Sequence, residues 1–106
     1  MRLTIIPADG SVGKNGFFYN GLNLSSCAIP VDIHALQWEE SEPNKGHIEF
    51  KSALVQNQDI TELPVWANAC VAKWDEAETA RLAAEEEARL AAAARITADQ
   101  TQQTEQ

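Results

Sequence analysis

The first half of the chain alternates apolar and polar residues in short stretches that are separated by turn-forming residues. Residues 3–6 form a strand candidate that stops at Pro7, and the aromatic residues 17–19 lie between two Asn-Gly pairs, at 15–16 and 20–21. Asn and Gly tolerate the positive φ of a type I′ turn, so each pair predicts a β-hairpin turn. The N-terminal region is therefore expected to form a β-meander.

A second pair of strands is predicted on either side of the turn-forming residues 41–46. Successive residues of a strand point to opposite faces, so apolar residues at every second position share one face. The apolar face of this predicted hairpin consists of Leu36, Trp38, Ile48 and Phe50. This face is the expected core of a β-rich head that spans residues 1–60.

A long helix is predicted over residues 61–98, because Pro64 suits the first turn of a helix and helix-forming residues follow it. Trp66, Cys70 and Trp74 recur every four residues and so share one helical face. We expect this face to cover the apolar side of the sheet, with Trp66 and Trp74 as core anchors. The predicted fold class is α+β, with a small antiparallel β-meander head packed on the start of one long C-terminal α-helix.

Beyond Trp74 the predicted helix is rich in alanine and glutamate, and Glu85 and Arg89 form a favourable pair four residues apart. A seam of small residues recurs every seven positions, at Cys70, Ala77, Ala84 and Ala91. The seam favours a coiled coil that joins copies of the chain into a homo-oligomer. Alanine also fills many registers by chance, so a solvated charged spacer is the alternative. Residues 99–106 are polar and predict a flexible tail.

The charge and the apolar runs of the chain exclude several classes of partner. The 106 residues include 16 acidic and 8 basic ones, and the formal net charge is −8. Nucleic acid and anionic membranes would both repel such a chain, so neither is an expected partner. No apolar run approaches the roughly 20 residues that a membrane helix needs. Cys27 and Cys70 are expected to be free thiols in a reducing cytoplasm.

Motifs for catalysis or cofactor binding are not found in the sequence. Cys27, His34, His47 and Cys70 lack the close pairing of zinc ligands, so neither a metal nor another cofactor is expected. The glycines form neither a dinucleotide-binding pattern nor a P-loop. Cys27 and His34 could supply a nucleophile and a base, but the sequence near them offers no orienting acid. The expected protein is not an enzyme.

Five segments, taken in order, resemble small proteins encoded in the tail and tail-fibre regions of tailed bacteriophages. The resemblance covers about residues 2–75. The segments are LTIIPADG at 3–10, YNGL at 19–22, IPVDIHALQW at 29–38, GHIEF at 46–50 and ITELPVWAN at 60–68. The resemblance implies a tail-associated protein, either an assembly chaperone for fibres or a minor tail component. It supplies no catalytic residues.

The expected function is therefore that of a non-enzymatic phage accessory protein, a chaperone that binds a tail or tail-fibre protein in the host cytoplasm during assembly. The candidate partner-binding residues are Phe17, Phe18, Tyr19 and Trp38. The first alternative is a permanent subunit of the virion tail, fibre or baseplate, with the helix in a symmetric bundle. The remaining alternatives are a small host-directed inhibitor and a small enzyme that uses Cys27 or His34.

Overall fold

The computed structural model describes the backbone of residues 1–104 and the side chains of residues 1–97. An antiparallel six-stranded sheet and one long helix make up its regular structure, which confirms the α+β fold class. The elements are β1 (Arg2–Ile6), β2 (Ser11–Lys14), β3 (Phe17–Tyr19), β4 (Ile33–Glu39), β5 (Gly46–Phe50), β6 (Gln58–Ile60) and α1 (Val65–Thr104). Two compact units divide the chain, one ending at Glu76 and the other beginning at Ala77, and α1 contributes to both.

The sheet joins two three-stranded meanders through its central strands. The strand order is β3-β2-β1-β4-β5-β6, and every neighbouring pair is antiparallel. At the junction Leu3 pairs with Trp38 and Ile5 pairs with Leu36. The chain therefore crosses from β3, at one edge, to β4, beside β1, through residues 20–32.

The first Asn-Gly pair forms the predicted hairpin turn, and the second does not. Asn15 and Gly16 have φ of 52° and 87°, as a type I′ turn between β2 and β3 requires. The prediction at 20–21 was wrong, because only Gly21 has positive φ there and β3 is followed by a loop. The backbone N–H of Gly21 donates to the Asp9 carbonyl oxygen at 3.0 Å. This tertiary hydrogen bond therefore anchors the start of the crossover loop to the segment that follows β1.

The buried face of the sheet is built from two rows of paired residues that cross all six strands. Leu3, Ile5, Val12 and Leu36 are fully buried in these rows. One row is Tyr19, Val12, Ile5, Leu36, Ile48 and Gln58, and the other is Phe17, Lys14, Leu3, Trp38, Gly46 and Ile60. The four apolar residues predicted for the second hairpin lie in this core or pack against it.

The first turns of α1 cover the buried face. Ala67 and Cys70 are fully buried, while Trp66 and Trp74 are partly buried and pack against the core. The proposed seam of small residues therefore needs correction at Cys70, because that side chain is inside the head and cannot meet another helix. Ala84 and Ala91 are exposed.

The part of α1 that begins at Ala77 is stabilised by local side-chain pairs. Arg81 pairs with Glu78 and with Glu85, and the Arg89 Nε donates to Glu86 Oε2 at 3.0 Å. The predicted Glu85–Arg89 pair is wrong, since Glu85 bonds to Arg81 instead. The helix continues to Thr104 rather than ending at 98, because no proline or glycine interrupts it. Residues 99–104 of the predicted tail are thus helical, and residues 105–106 lie outside the described part.

Candidate protein-interaction surface

The three aromatic residues of β3 are divided between the two faces of the sheet by strand alternation. Phe17 and Tyr19 lie on the face that α1 covers, and both contact Trp74. The Trp74 ring centroid is 6.4 Å from that of Phe17 and 5.6 Å from that of Tyr19, in edge-on geometry. The Trp74 Nε1–H also donates to the Phe17 carbonyl oxygen at 2.9 Å. Two of the predicted partner-binding residues are thus engaged by the protein's own helix.

Lys14, at the end of the neighbouring strand β2, adds to this contact between the sheet and α1. Its Nζ lies 5.0 Å from the centroid of the Trp74 ring and 2.9 Å from Asp75 Oδ1. The lysine therefore combines a cation–π contact with an ion pair to the next residue of the helix.

Phe18 lies on the opposite face, which α1 does not cover. Its ring packs over Gly13, where an added Cβ would collide with the ring atoms. Glycine at this position is required for the close approach, and the neighbouring strand holds the ring in place. Phe18 is nevertheless 47% exposed. A large aromatic side chain held against glycine and still open to solvent is suited to bind a partner.

The uncovered face carries one transverse row of residues that runs through every strand. The row, which we call the open face, is Phe18, Gly13, Thr4, Gln37, His47 and Asp59. At its centre the Thr4 hydroxyl donates to Gln37 Oε1 at 2.9 Å. At its far end the His47 Nε2 lies 3.5 Å from Glu49 Oε1. The row therefore changes from aromatic, through neutral and polar, to charged and acidic.

The interpretation of Trp38 as a partner-binding residue is corrected by its position in the core. Trp38 is 5% exposed, and it pairs with Leu3 on one side and Gly46 on the other. A Cβ added at Gly46 would lie 2.9 Å from the Trp38 ring, so the ring lies closely against that backbone. Alternation in β4 had already indicated the core face for this residue.

The residues considered for catalysis or metal binding are dispersed. Cys27 and Cys70 are both buried in the hydrophobic core of the head, whereas His34 is exposed on β4. Burial is the main cause that raises the pKa of the Cys70 thiol to about 12, and the neighbouring Cys27 raises it further. Within residues 1–97 no cluster of three or more His, Cys, Asp or Glu side chains could hold a metal ion.

A groove of about 490 Å³ lies between the Pro7–Gly10 turn and the crossover loop. The backbone of Gly10 approaches Leu22 closely, and an added Cβ at Gly10 would lie 2.6 Å from the Leu22 carbonyl oxygen. Ser25 and Ala28, on either side of Cys27, contribute to the wall. The lining combines larger apolar residues with small ones, and the larger ones are Leu22, Leu24 and Ile29.

Comparison with protein-family models, with curated proteins and with solved structures found no match to this chain. In the described part of the chain, no helix has the length and apolar character that crossing a lipid bilayer requires. The surfaces of the head and of the helix are therefore the basis for a functional proposal.

Proposed function

We propose that this chain is a non-enzymatic accessory protein of a tailed bacteriophage, which binds a tail or tail-fibre protein during assembly in the host cytoplasm. The observation that carries the proposal is the open face, where Phe18 is held against Gly13 and remains about half exposed. Exposed, immobilised aromatic side chains commonly supply much of the binding energy of protein interfaces.

The extent of the sequence resemblance supports this proposal. The likeness to small proteins of phage tail regions covers about residues 2–75, and the first compact unit ends at Glu76. The resemblance therefore coincides with the unit that carries the open face, and it stops where the alanine-rich part of the helix begins.

The charges of the open face indicate the chemistry of the partner. His47 is four strands away from Phe18, which corresponds to about 20 Å at the usual spacing between strands. Glu49 and Asp59 make this end acidic, and the whole chain has a net charge of −8. The partner is expected to have an apolar pocket for Phe18 and basic residues about 20 Å from it.

Binding to the tail-fibre protein of the same phage genome tests the proposal. Phe18→Ser should weaken the affinity by at least about tenfold, because it removes the exposed aromatic side chain that the partner would bury. Leu54→Ser is the matched control, since Leu54 is 95% exposed but lies outside the open face. Calorimetric titration of both variants gives the comparison. Equal affinities for Phe18→Ser and the unaltered protein would contradict the proposal.

The second candidate function is a permanent virion subunit, and the exposed side chains of the long helix favour it. Leu82, Leu90 and Ile96 are each more than half exposed. At 3.6 residues per turn they lie within an arc of about 120° on the helix surface. A symmetric helical bundle would bury such an arc.

Light scattering of two proteins separates the two candidate functions. The first is the unaltered full-length protein, and the second is a full-length variant in which Leu82, Leu90 and Ile96 are replaced by glutamine. An oligomer that becomes a monomer on substitution supports the bundle, and detection of the chain in purified particles would establish a structural role. A monomer in both cases contradicts self-association through the helix.

A further inference from the structure

The two edge strands of the sheet, β3 and β6, differ in what they offer to another strand. Each has a neighbour on one side only, so its outer side borders no strand of the described sheet. In an antiparallel ladder, successive residues direct their N–H and C=O groups to opposite sides of the strand. The register therefore shows which residue of each edge strand presents its backbone groups outward.

Phe18 is the outward-facing residue of β3. The Asn15 N–H donates to the Arg2 carbonyl oxygen at 2.8 Å, so Asn15 directs its backbone toward β1. Gly13, two residues earlier, directs its N–H and C=O groups to the same side. These groups therefore do not bond to Phe18, which is the residue paired with Gly13 in β3. The N–H and C=O of Phe18 point away from β2, toward the outer edge.

Asp59 has the same position on the other edge strand. The Glu39 N–H donates to the Lys45 carbonyl oxygen at 2.6 Å, so alternation directs the backbone groups of His47 toward β4. His47 pairs with Asp59, whose N–H and C=O therefore point outward from β6. Charged residues commonly protect an edge strand against the addition of another strand. The sequence of β3 is Phe-Phe-Tyr, so the β3 edge lacks this protection.

Aromatic side chains are accessible on both faces of β3, beside this edge. Phe18, on the open face, is 47% exposed, and Phe17, on the face that α1 covers, is 45% exposed. A partner that packs on the open face alone contacts only Phe18. A strand paired along the edge lies about 4.8 Å from β3 and places side chains beside both rings.

We propose that an extended segment of the partner adds to the outer edge of β3 as a further strand, and that its backbone pairs with the N–H and C=O of Phe18. This inference rests on the proposed function and names the form in which the partner binds. The segment has apolar side chains at successive positions, which cover Phe18 on one face and Phe17 on the other. The residue that covers Phe18 forms one wall of the apolar pocket expected for it.

The charge of the chain disfavours a second copy as the occupant of this edge. Two copies would each have a formal net charge of −8 and would repel each other. A partner segment with basic or uncharged residues avoids this repulsion, and basic residues are also what the acidic end of the open face favours. The occupant is therefore assigned to the partner rather than to another copy of this chain.

Hydrogen exchange of the Phe18 amide, followed by NMR on the full-length protein, tests the inference. The probe is the tail-fibre protein of the same phage genome, added to saturation. The Phe18 N–H should exchange at least about tenfold more slowly in the complex, because it becomes hydrogen-bonded to the added strand. The Asp59 amide is the internal control, because contacts with the acidic side chains of the open face leave its backbone edge unpaired.

Two substitutions at position 18 separate the contribution of the backbone from that of the ring. Phe18→Val and Phe18→Pro both remove the ring, but only proline also removes the outward N–H. Proline is tolerated in an edge strand where the N–H faces solvent. Phe18→Pro should bind the tail-fibre protein at least about fivefold more weakly than Phe18→Val, because a partner carbonyl loses its donor. Thermal melts check that both variants fold, and the exchange measurement decides if the proline variant does not.

The outcomes distinguish this inference from the proposed function. Unchanged exchange at Phe18 in a complex that forms, or equal affinities of the two folded variants, would overturn strand addition and leave the proposed function in place. Failure of the unaltered protein to bind the tail-fibre protein would overturn both. Light scattering of the protein alone tests the other occupant. A dimer that Phe18→Pro converts to a monomer, and Phe18→Val does not, would assign the edge to a second copy and overturn the inference.

Discussion

The two parts of α1 differ in what stabilises them, although one uninterrupted helix contains both. Up to Glu76 the helix is held by distant parts of the chain. Cys70 is fully buried, Trp74 donates a hydrogen bond to Phe17, and Asp75 pairs with Lys14. From Ala77 onward, the side-chain pairs given above join residues three or four positions apart.

This difference shows that continuous helical structure does not imply a single source of stability. The first part depends on tertiary packing, so it should be lost together with the sheet. The second part depends on intrinsic helix propensity and on pairs worth a few tenths of a kcal/mol each. Substitutions in the head and in the second part should therefore have separable effects.

The largest expected effect comes from removing core volume. Leu36→Ala should destabilise the head by about 3 kcal/mol, because Leu36 is fully buried between Ile5 and Ile48. Leu82→Ala, at an exposed position of the second part, should change the free energy of unfolding by less than about 0.5 kcal/mol. Urea denaturation followed by tryptophan fluorescence measures both. Similar losses for the two variants would refute the distinction.

The next effect comes from Trp74, where the first part of α1 meets β3. Trp74→Ala should cost about 2–3 kcal/mol, since it removes the edge-on contacts with Phe17 and Tyr19. Trp74→Phe retains a ring but loses the hydrogen bond to the Phe17 carbonyl, at a cost of about 1 kcal/mol. Thermal melts of both variants test this order, and an equal cost would show that the ring contacts contribute little.

A smaller effect is expected from the ion pair between the sheet and the helix. Both Lys14 and Asp75 are partly exposed, so their coupling should be below about 1 kcal/mol and should weaken in high salt. A double-mutant cycle with Lys14→Met and Asp75→Asn measures it. Lys14→Met also removes the cation–π contact with Trp74, whereas Asp75→Asn does not. A coupling that is independent of salt would contradict an exposed ion pair.

The smallest effect concerns pH and the second part of the helix. The hydrogen bond from Arg89 lowers the pKa of Glu86 below its ordinary value of 4.5. The Glu86–Arg89 pair therefore stabilises the helix above that value, and its contribution is lost as pH falls through the lower pKa of the folded state. Glu86→Gln should reduce this acid-dependent loss of helical circular dichroism, while Glu87→Gln should leave it in place. Identical titrations for the two variants would contradict the assignment.

Local patterns predicted the elements of the fold better than they predicted the neighbours of each strand. The hairpin at Asn15-Gly16 was predictable because its φ angles depend on those two residues alone. The same dipeptide at 20–21 behaves differently because Gly21 bonds to Asp9. Alternation shows which residues share a face but not which strands pair. The pairing of β1 with β4 therefore could not be derived from the pattern.

The candidate site could also be predicted only in part, because alternation does not show which strands pair. Alternation separates Phe18 from Phe17 and Tyr19, but the face that the helix covers is defined only by the strand register and by Trp74. Gly13 is the signal for Phe18, because a glycine opposite an aromatic residue allows the ring to lie across the strand. That signal requires the β2–β3 register, which in turn depends on the position of the hairpin turn.

The central position of β1 has a consequence for how the protein is made. Ribosomal synthesis delivers β1, β2 and β3 before β4, so one side of β1 has unpaired N–H and C=O groups until β4 is complete at Glu39. Its apolar face then remains uncovered until the first turns of α1 have emerged. A nascent chain thus exposes an open backbone edge and an apolar face at the same time, which is the combination that promotes aggregation. At high expression levels, aggregation of the incomplete chain should therefore limit the yield of this protein more than aggregation of the folded protein does.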